Sequence, residues 1–232
     1  VHFVGIGGAG LSAIALLMHE AGVVVTGSDG RDSEVLTSLR SAGICCQVGH
    51  RAENVANCDT VIVSTAVPAD NPEIVEANRL GLRLWPRSAG LMSAMLADER
   101  IAVAGTHGKT TTTAMLTFAL RGAGADPSFA IGAQVAGLAA AAHRGEDAHF
   151  VVEADESGGA FLHYRPSSAI VTNIDADHLD TWGSVEAYEA AFAQFATTVE
   201  DFVVVSADDP GCGRLVEQIT GPRVITAGFA AS

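Results

Sequence analysis

Short apolar runs rich in Val and Ile alternate along this chain with longer stretches whose apolar positions return at helical spacing. Residues 1–6 (VHFVGI) read as a buried strand, and GIGGAG then opens into an apolar helical run over 11–21 that Gly22 ends. Further strands are expected at 23–27, closed by Asp29, and at 44–48, 60–65 and 82–85. Between the last two, Asn71 and Pro72 form an N-cap and first-turn pair for a helix ending before Gly81. A helix over 88–96 leads to the polar break Asp98-Glu99-Arg100, where a domain boundary is expected, giving domains 1–97 and 98–232. Beyond it come a strand from 101, a helix over 110–121 ended by Gly122 or Gly124, and strands at 149–152, 169–173, 202–206 and 223–226. An amphipathic helix from Ser184 carries Tyr188, Phe192 and Phe195 on its apolar side, and Asp208 or Asp209 caps the helix after the strand at 202–206. Strands alternating with helices imply an α/β fold of parallel sheets with right-handed crossovers.

Chemistry concentrates where these strands end. In 101–113 (IAVAGTHGKTTTT) a strand passes through a glycine-bracketed turn into a helix. Gly105 and Gly108 can adopt backbone angles closed to other residues, so successive N–H groups can turn towards one anion. The helix start adds unpaired N–H donors and the positive end of its dipole. Lys109 is the single lysine of the chain, and the hydroxyl of Thr110 stands where a Mg²⁺ ligand follows a phosphate-loop lysine. The general pattern G-x-x-x-x-G-K-[ST] would place glycine where Val103 stands, so the match is partial and a Gly-Lys-Thr turn opening an ordinary helix is the plain alternative.

Nearer the start, Gly5, Gly7 and Gly10 followed by Asp29 satisfy the dinucleotide fingerprint, which makes the first domain Rossmann-like. Such a loop binds any pyrophosphate, whether of NAD or of a UDP-type ligand. An NAD-dependent oxidoreductase therefore competes, although no hydride-transfer site is evident and a phosphate loop has no role in a plain dehydrogenase. Ser64, Thr65 and His50 just past strand ends, and Arg87 at a helix start, are ligand contacts or ordinary surface polar residues. Two acidic clusters, 153–157 (EADES) and 174–180 (IDADHLD), directly follow strands, so Lys109, Glu153 and His178 can converge on one sheet edge. A carboxylate such as Glu153 there completes Mg²⁺ coordination, and Asp177 and Asp180 flank His178 and can orient its ring; solvated loop charges are the alternative.

Composition narrows the classes. At 232 residues and 48% hydrophobic, with mean hydropathy +0.29, the chain can fill one or two cores. A net charge of −14 and a pI near 4.8 speak against nucleic acid or an anionic membrane as partner. Phosphate ligands stay open, because backbone donors, Mg²⁺ and one lysine neutralise them locally. No apolar run approaches the roughly 18 residues of a membrane span, and no secretion signal is present. Cys45, Cys46, Cys58 and Cys212 lack C-x-x-C spacing and read as free thiols of a reducing, cytoplasmic compartment.

Taken together, GIGGAGLS (5–12), GTHGKTTTT (105–113), EADES (153–157), TNIDADHLDT (172–181) and ADDP (207–210) resemble the motifs of the Mur ligases, ATP-dependent amide-forming enzymes of peptidoglycan synthesis. The likeness runs over nearly the whole chain. It implies three domains: a first holding a UDP-sugar, a central one binding ATP and a third bringing the amino acid. By position, Gly7, Gly8, Ala9, Gly10, Ser12, Asp29 and Ser64 would meet the UDP-sugar, and Gly105, Thr106, His107, Gly108, Lys109, Thr110 and Thr111 the ATP. The implied catalytic set is Lys109 on the β/γ-phosphates, Thr110 and Glu153 on one Mg²⁺, and His178 on a second. The substrate carboxylate would attack ATP to give an acyl phosphate, which the amino acid's amine then displaces. Several Mur ligases carry a carbamoylated lysine after the DH motif. No lysine follows Lys109 here, which fits the branch that adds L-alanine to UDP-N-acetylmuramic acid. A recycling ligase that attaches a preformed tripeptide to the same sugar shares these motifs. With a strand at Val1 and a stop at Ser232, residues are expected upstream and the third domain downstream. The chain alone is then expected to bind UDP-sugar, and ATP weakly, without completing the ligation.

Overall fold

The computed structural model describes residues 1–64, 66–95, 99–177 and 179–229, and of Ala9 only the backbone. Thr65 and His178, singled out above, lie outside them. The chain forms two compact units, Val1–Met95 with Gly132–Arg144, and Leu96–Ile131 with Gly145–Ser232. The sequence pattern draws one boundary near residue 98; Gly132–Arg144 returns to the first unit, where Leu138 and Ala142 are buried and the Arg144 N–H donates to Glu20 Oε2 (2.6 Å).

The first unit runs β1 (His2–Val4), α1 (Ala9–Glu20), β2 (Thr26–Asp29), α2 (Glu34–Ser41), β3 (Cys45–Val48), β4 (Thr60–Val63), α3 (Pro72–Leu80), β5 (Arg83–Pro86) and α4 (Arg87–Ala94). Its strands lie parallel in the order β3-β2-β1-β4-β5, the order of a Rossmann half. The second strand lies later than expected. It starts at Thr26, opposite His2, and Val24 before it is left 81% exposed. The helix α2 is short and was not expected; Ser33 caps it, accepting from Leu36 N, and it buries Leu36 and Leu39. α3 follows the sequence signals closely: Asn71 accepts from Glu73 N, Pro72 occupies the first turn and Gly81 ends it in the left-handed region.

The second unit runs β6 (Glu99–Ala104), α5 (Lys109–Gly122), β7 (Ser128–Ala130), then, past the short β8 (Ala142–His143), β9 (His149–Glu153), β10 (Ser168–Val171), α6 (Leu179–Trp182), α7 (Val185–Thr197), β11 (Phe202–Ser206), α8 (Pro210–Val216) and β12 (Arg223–Ala227). Its strands pair in the order β12-β11-β10-β6-β9-β7, all in parallel. Burial on both faces explains the unbroken apolar runs of β9 and β10, while β11 buries alternate residues near the sheet's edge. α7 presents Tyr188, Ala191, Phe192, Phe195 and Ala196, a helical stripe, and packs its rings against Phe161 and Trp182. Of the two candidate caps for α8, Asp209 serves; its Oδ1 accepts from Cys212 N (2.7 Å) and from Ile174 N after β10 (3.0 Å). The four cysteines are free, and burial pushes the Cys212 thiol up to about 12, which makes it inert.

Where β6 ends, Gly105 turns with φ 132°, and a Cβ there would sit 2.1 Å from Thr172 Oγ1 and 3.0 Å from Asn173 O. Only glycine fits so tight a crossing. In the first unit a buried carboxylate plays the comparable structural role. Glu73, with its side chain fully buried, accepts from Ser28 Oγ (2.6 Å), His50 Nδ1 (2.8 Å) and Asn54 Nδ2, and lies 3.6 Å from His2 Nε2. Burial opposes its charge, but these four partners outweigh burial and hold its pKa at about 2 instead of 4.5.

Two outcomes are expected. Because its folded pKa is depressed, Glu73 contributes about 3 kcal/mol that is fully present above pH 4.5 and fades as the pH falls towards 2. Glu73→Gln should lower stability at pH 7 and flatten the acid limb between those values, read by urea unfolding through Trp85 in a Trp182→Phe background; an unchanged acid limb would refute this. Gly105→Ala should cost the second unit about 2–4 kcal/mol, read through Trp182 in a Trp85→Phe background. A wild-type midpoint would show that the crossing relaxes freely.

Candidate functional site

In the first unit the strand order reverses between β1 and β4, and ligands of open α/β sheets bind where the strands at such a point end. After β1 the chain turns tightly: Gly5 N and Ile6 N both donate to Ser28 O (2.9 and 3.0 Å), and Gly8 N donates to Gly5 O (3.1 Å). Gly8 then precedes α1 without a side-chain cap, and the first turn holds no acidic residue. Gly7, Gly8, Ala9, Gly10 and Ser12 thus form a turn and helix start; the N–H groups of Gly7, Gly8 and Ser12 donate to Asp29 Oδ2, Gly5 O and Gly8 O, and those of the first helical turn at Ala9 and Gly10 favour an anion. Ser64 borders this turn, its N donating to Val4 O (3.1 Å) and its Cβ only 3.1 Å from where a Gly5 Cβ would lie. Arg87 lies against the helix start, its Nη1 2.8 Å from where a Gly10 Cβ would be, and brings the cation that the glycine turn lacks. Asp29 is engaged differently from the acid of a dinucleotide site. Its Oδ2 accepts from Gly7 N (2.9 Å), so it braces the loop itself. His50, the other strand-end residue, is held through Nδ1 by Glu73.

In the second unit β6 lies between β10 and β9, so the segments following all three leave the same edge. Gly108 takes φ 82° and hands over to α5 with no side-chain cap and no acid in the first turn. Lys109 starts that helix and folds back over its own loop. Its Nζ donates to Gly105 O (2.7 Å), to Thr106 O (3.1 Å) and to Glu156, whose oxygens lie at 2.8 and 3.1 Å. The Glu156 side chain is fully buried, that of Lys109 16% exposed. Thr110 and Thr111 follow in the first turn, half-buried and exposed. The segment after β10 locks the loop. Asn173 O accepts from Thr106 N (3.0 Å), its Oδ1 accepts from His107 N (2.9 Å), and its Nδ2 and Thr172 Oγ1 both donate to His107 O (2.8 and 2.6 Å).

Glu153 ends β9 in register with Val103, and its buried Oε1 has no hydrogen-bond partner among the described residues. An orphaned carboxylate oxygen beside a phosphate loop fits a hard cation such as Mg²⁺. Among the described residues no three His, Cys, Asp or Glu side chains form a metal-holding group; His178, the expected imidazole, lies outside them.

The Lys109 ammonium pairs with Glu156, a residue the sequence reading gave no role, while Glu153, expected on Mg²⁺, ends the strand beside β6. Strand-end reasoning selects the first acid of EADES; the third, Glu156, was in plain view but carried no signal of burial. Tyr188 is read from the sequence as apolar filling. Its hydroxyl lies 2.8 Å from Thr106 Oγ1 and 3.3 Å from Glu156 Oε1. Burial chiefly, with Glu156 adding and Thr106 opposing, pushes its pKa above the ordinary range, so it stays a donor. Asn173 was likewise missed, and only the polar pair Thr172-Asn173 directly after an apolar strand hints at it.

Residues 1–99 match the Mur ligase family, catalytic domain, and residues 103–232 match the Mur ligase middle domain. A UDP-N-acetylmuramate–L-alanine ligase of Nocardioides sp. is 57% identical over 230 residues, which are 97% of this chain and 52% of that protein. The crystal structure of a UDP-N-acetylmuramate–alanine ligase from Thermotoga maritima superposes with a TM-score of 0.87 at 35% identity, covering 99% of this chain and 52% of that one. The UDP-N-acetylmuramate:L-alanyl-gamma-D-glutamyl-meso-diaminopimelate ligase from Neisseria meningitides also reaches 0.87, at 26% identity, over 97% of this chain and 76% of its own. The chain spans about half the length of the curated relatives it matches. With both domain matches covering nearly every residue of two parallel-sheet units, the chain belongs to the Mur ligase family.

Proposed function

We propose that this chain is the UDP-sugar-binding and ATP-binding part of a cytoplasmic ligase that joins L-alanine to the carboxylate of UDP-N-acetylmuramic acid in peptidoglycan synthesis. The carrying observation is the single lysine, held over an anion-binding loop at the end of a central parallel strand, with Glu153 ending the neighbouring strand. Gly105 to Thr111 take the phosphates of ATP. Gly7, Gly8, Ala9, Gly10, Ser12 and Ser64 take the pyrophosphate of the UDP-sugar, with Arg87 as counter-charge and Asp29 bracing the turn. Identity of 57% to a named alanine ligase, against 26% to the peptide-adding ligase, supports L-alanine over a preformed tripeptide. The engagement of Asp29 with Gly7 supports a UDP-sugar over NAD. The charge of −14 speaks against nucleic acid as a partner, and among the described residues no helix is long and apolar enough to cross a membrane.

Two anions must be brought together, the sugar's carboxylate and the γ-phosphate. Lys109 and the loop's N–H groups offset their repulsion and the charge that grows on the phosphate oxygens. The carboxylate oxygen attacks the γ-phosphorus, the bond to ADP breaks and an acyl phosphate forms. The amine of L-alanine adds to the acyl carbon, and the tetrahedral intermediate expels phosphate as the amide forms. Mg²⁺, when bound, neutralises phosphate charge, and Thr110, Glu153 and His178 are the residues that would hold it.

Calorimetric titration of the chain with UDP-N-acetylmuramic acid and with NADH should show binding of the first alone; NADH binding without a response to the sugar would reverse the assignment. In the full-length protein, Lys109→Ala should cut ATP turnover by about 100-fold or more while leaving UDP-sugar affinity within about twofold. Retained turnover would remove Lys109 from the mechanism.

A further inference from the structure

A hydrogen-bond network centres on Glu156, a buried carboxylate to which Lys109 and Tyr188 both donate. The Tyr188 hydroxyl also lies 2.8 Å from Thr106 Oγ1, where either oxygen can be the donor. Thr106 Oγ1 in turn accepts from the Asp175 N–H (2.9 Å) and can donate to Asp175 O (3.1 Å). One continuous chain results: Asp175 to Thr106, Thr106 to Tyr188, Tyr188 to Glu156, with Lys109 donating to the same carboxylate. Trp182 closes the arrangement, its indole N–H donating to Glu156 O (3.2 Å) and its ring edge-on to Tyr188. Every link is within hydrogen-bond distance, and Thr106, Glu156 and Tyr188 are all buried. In such a setting each bond polarises the next, and loss of one end is felt at the other.

We propose that Glu156 and Tyr188 are positioning residues for Lys109, joining the acidic segment after β10 and helix α7 to the phosphate loop so that the ammonium is held at one place over the nucleotide's phosphates. The proposal rests on the nucleotide reading above and adds to it the residues that aim its lysine. Without the carboxylate, Nζ keeps, among the described residues, two carbonyls of its own loop, Gly105 O and Thr106 O, and moves with them. The chain reaches the segment holding Asp175 and Asp177, so a change after β10 is transmitted to Lys109 through side chains that need touch no ligand.

The single lysine makes the test direct. Amine-selective acylation of the 232-residue chain, read by mass spectrometry, reports Lys109 against the α-amino group as internal reference. Glu156→Gln is isosteric and keeps an acceptor for Tyr188. It should raise the Lys109 labelling rate by about fivefold or more, and raise the ATP concentration that half-protects Lys109, in the presence of Mg²⁺, by a similar factor. Tyr188→Phe should move both in the same direction by about two- to threefold. A merely structural Glu156 would lower the melting temperature and leave the labelling ratio alone. ATP protection of the wild type together with equal rates in folded Glu156→Gln overturns this proposal only. Absence of protection in the wild type overturns the nucleotide reading, and the proposal with it. Should Glu156→Gln not fold, Tyr188→Phe decides, since it removes one oxygen; an unchanged rate there is equally fatal.

Discussion

The parallel pairing of β6 with β9 on one side and β10 on the other is the constraint from which the proposed nucleotide site follows. Parallel strands leave a sheet in one direction, so segments from three distant parts of the chain are delivered to one edge. The register is tight enough to matter. Val103 pairs with Glu153 on one side and with Ile170 on the other, which sets Gly105 level with Thr172 and Asn173. The loop therefore does not hold itself in shape. Asn173 and Thr172 grip His107 and Thr106 from the next strand, and the glycine at the crossing lets the two backbones come that close.

Each unit keeps one buried glutamate at its centre, and the two are stabilised by different means. Glu73 is solvated by hydroxyl, amide and imidazole groups drawn from β1, β2 and the segment after β3. Glu156 faces a full ammonium and one phenol. A buried carboxylate that loses such partners keeps its desolvation penalty, which is why both networks are all-or-none features of their units. Their functions differ accordingly. The first ties strands and a helix together beneath the glycine turn, and the second holds a mobile charge ready for an anion.

An excess of fourteen negative charges opposes the two phosphate-bearing ligands proposed, and the local chemistry of the two turns offsets it. At both glycine turns the helix starts carry no acid and no side-chain cap, so the first-turn N–H groups favour an anion. One cation stands by each turn, Arg87 in the first unit and Lys109 in the second.

How much of this was legible in the chain depends on the range of the interaction involved. Local chemistry was legible: the apolar runs, the Asn71-Pro72 start and Gly81 stop of α3, the Ser184 cap and aromatic stripe of α7, and the glycine turns ahead of α1 and α5 all follow from neighbours a few residues apart. The α/β class and the parallel sheets follow from the same local pattern, because few topologies accept that alternation. What the sequence could not decide is which of several equivalent polar residues is buried, and beside what. Pairing Glu156 with Lys109, giving the Tyr188 hydroxyl a partner, turning Asp29 onto Gly7 and returning Gly132–Arg144 to the first unit each depend on contacts across tens of residues. A one-dimensional pattern records polarity and period; burial and partnership arise only when the strands are laid side by side, and there the tertiary structure alone decides.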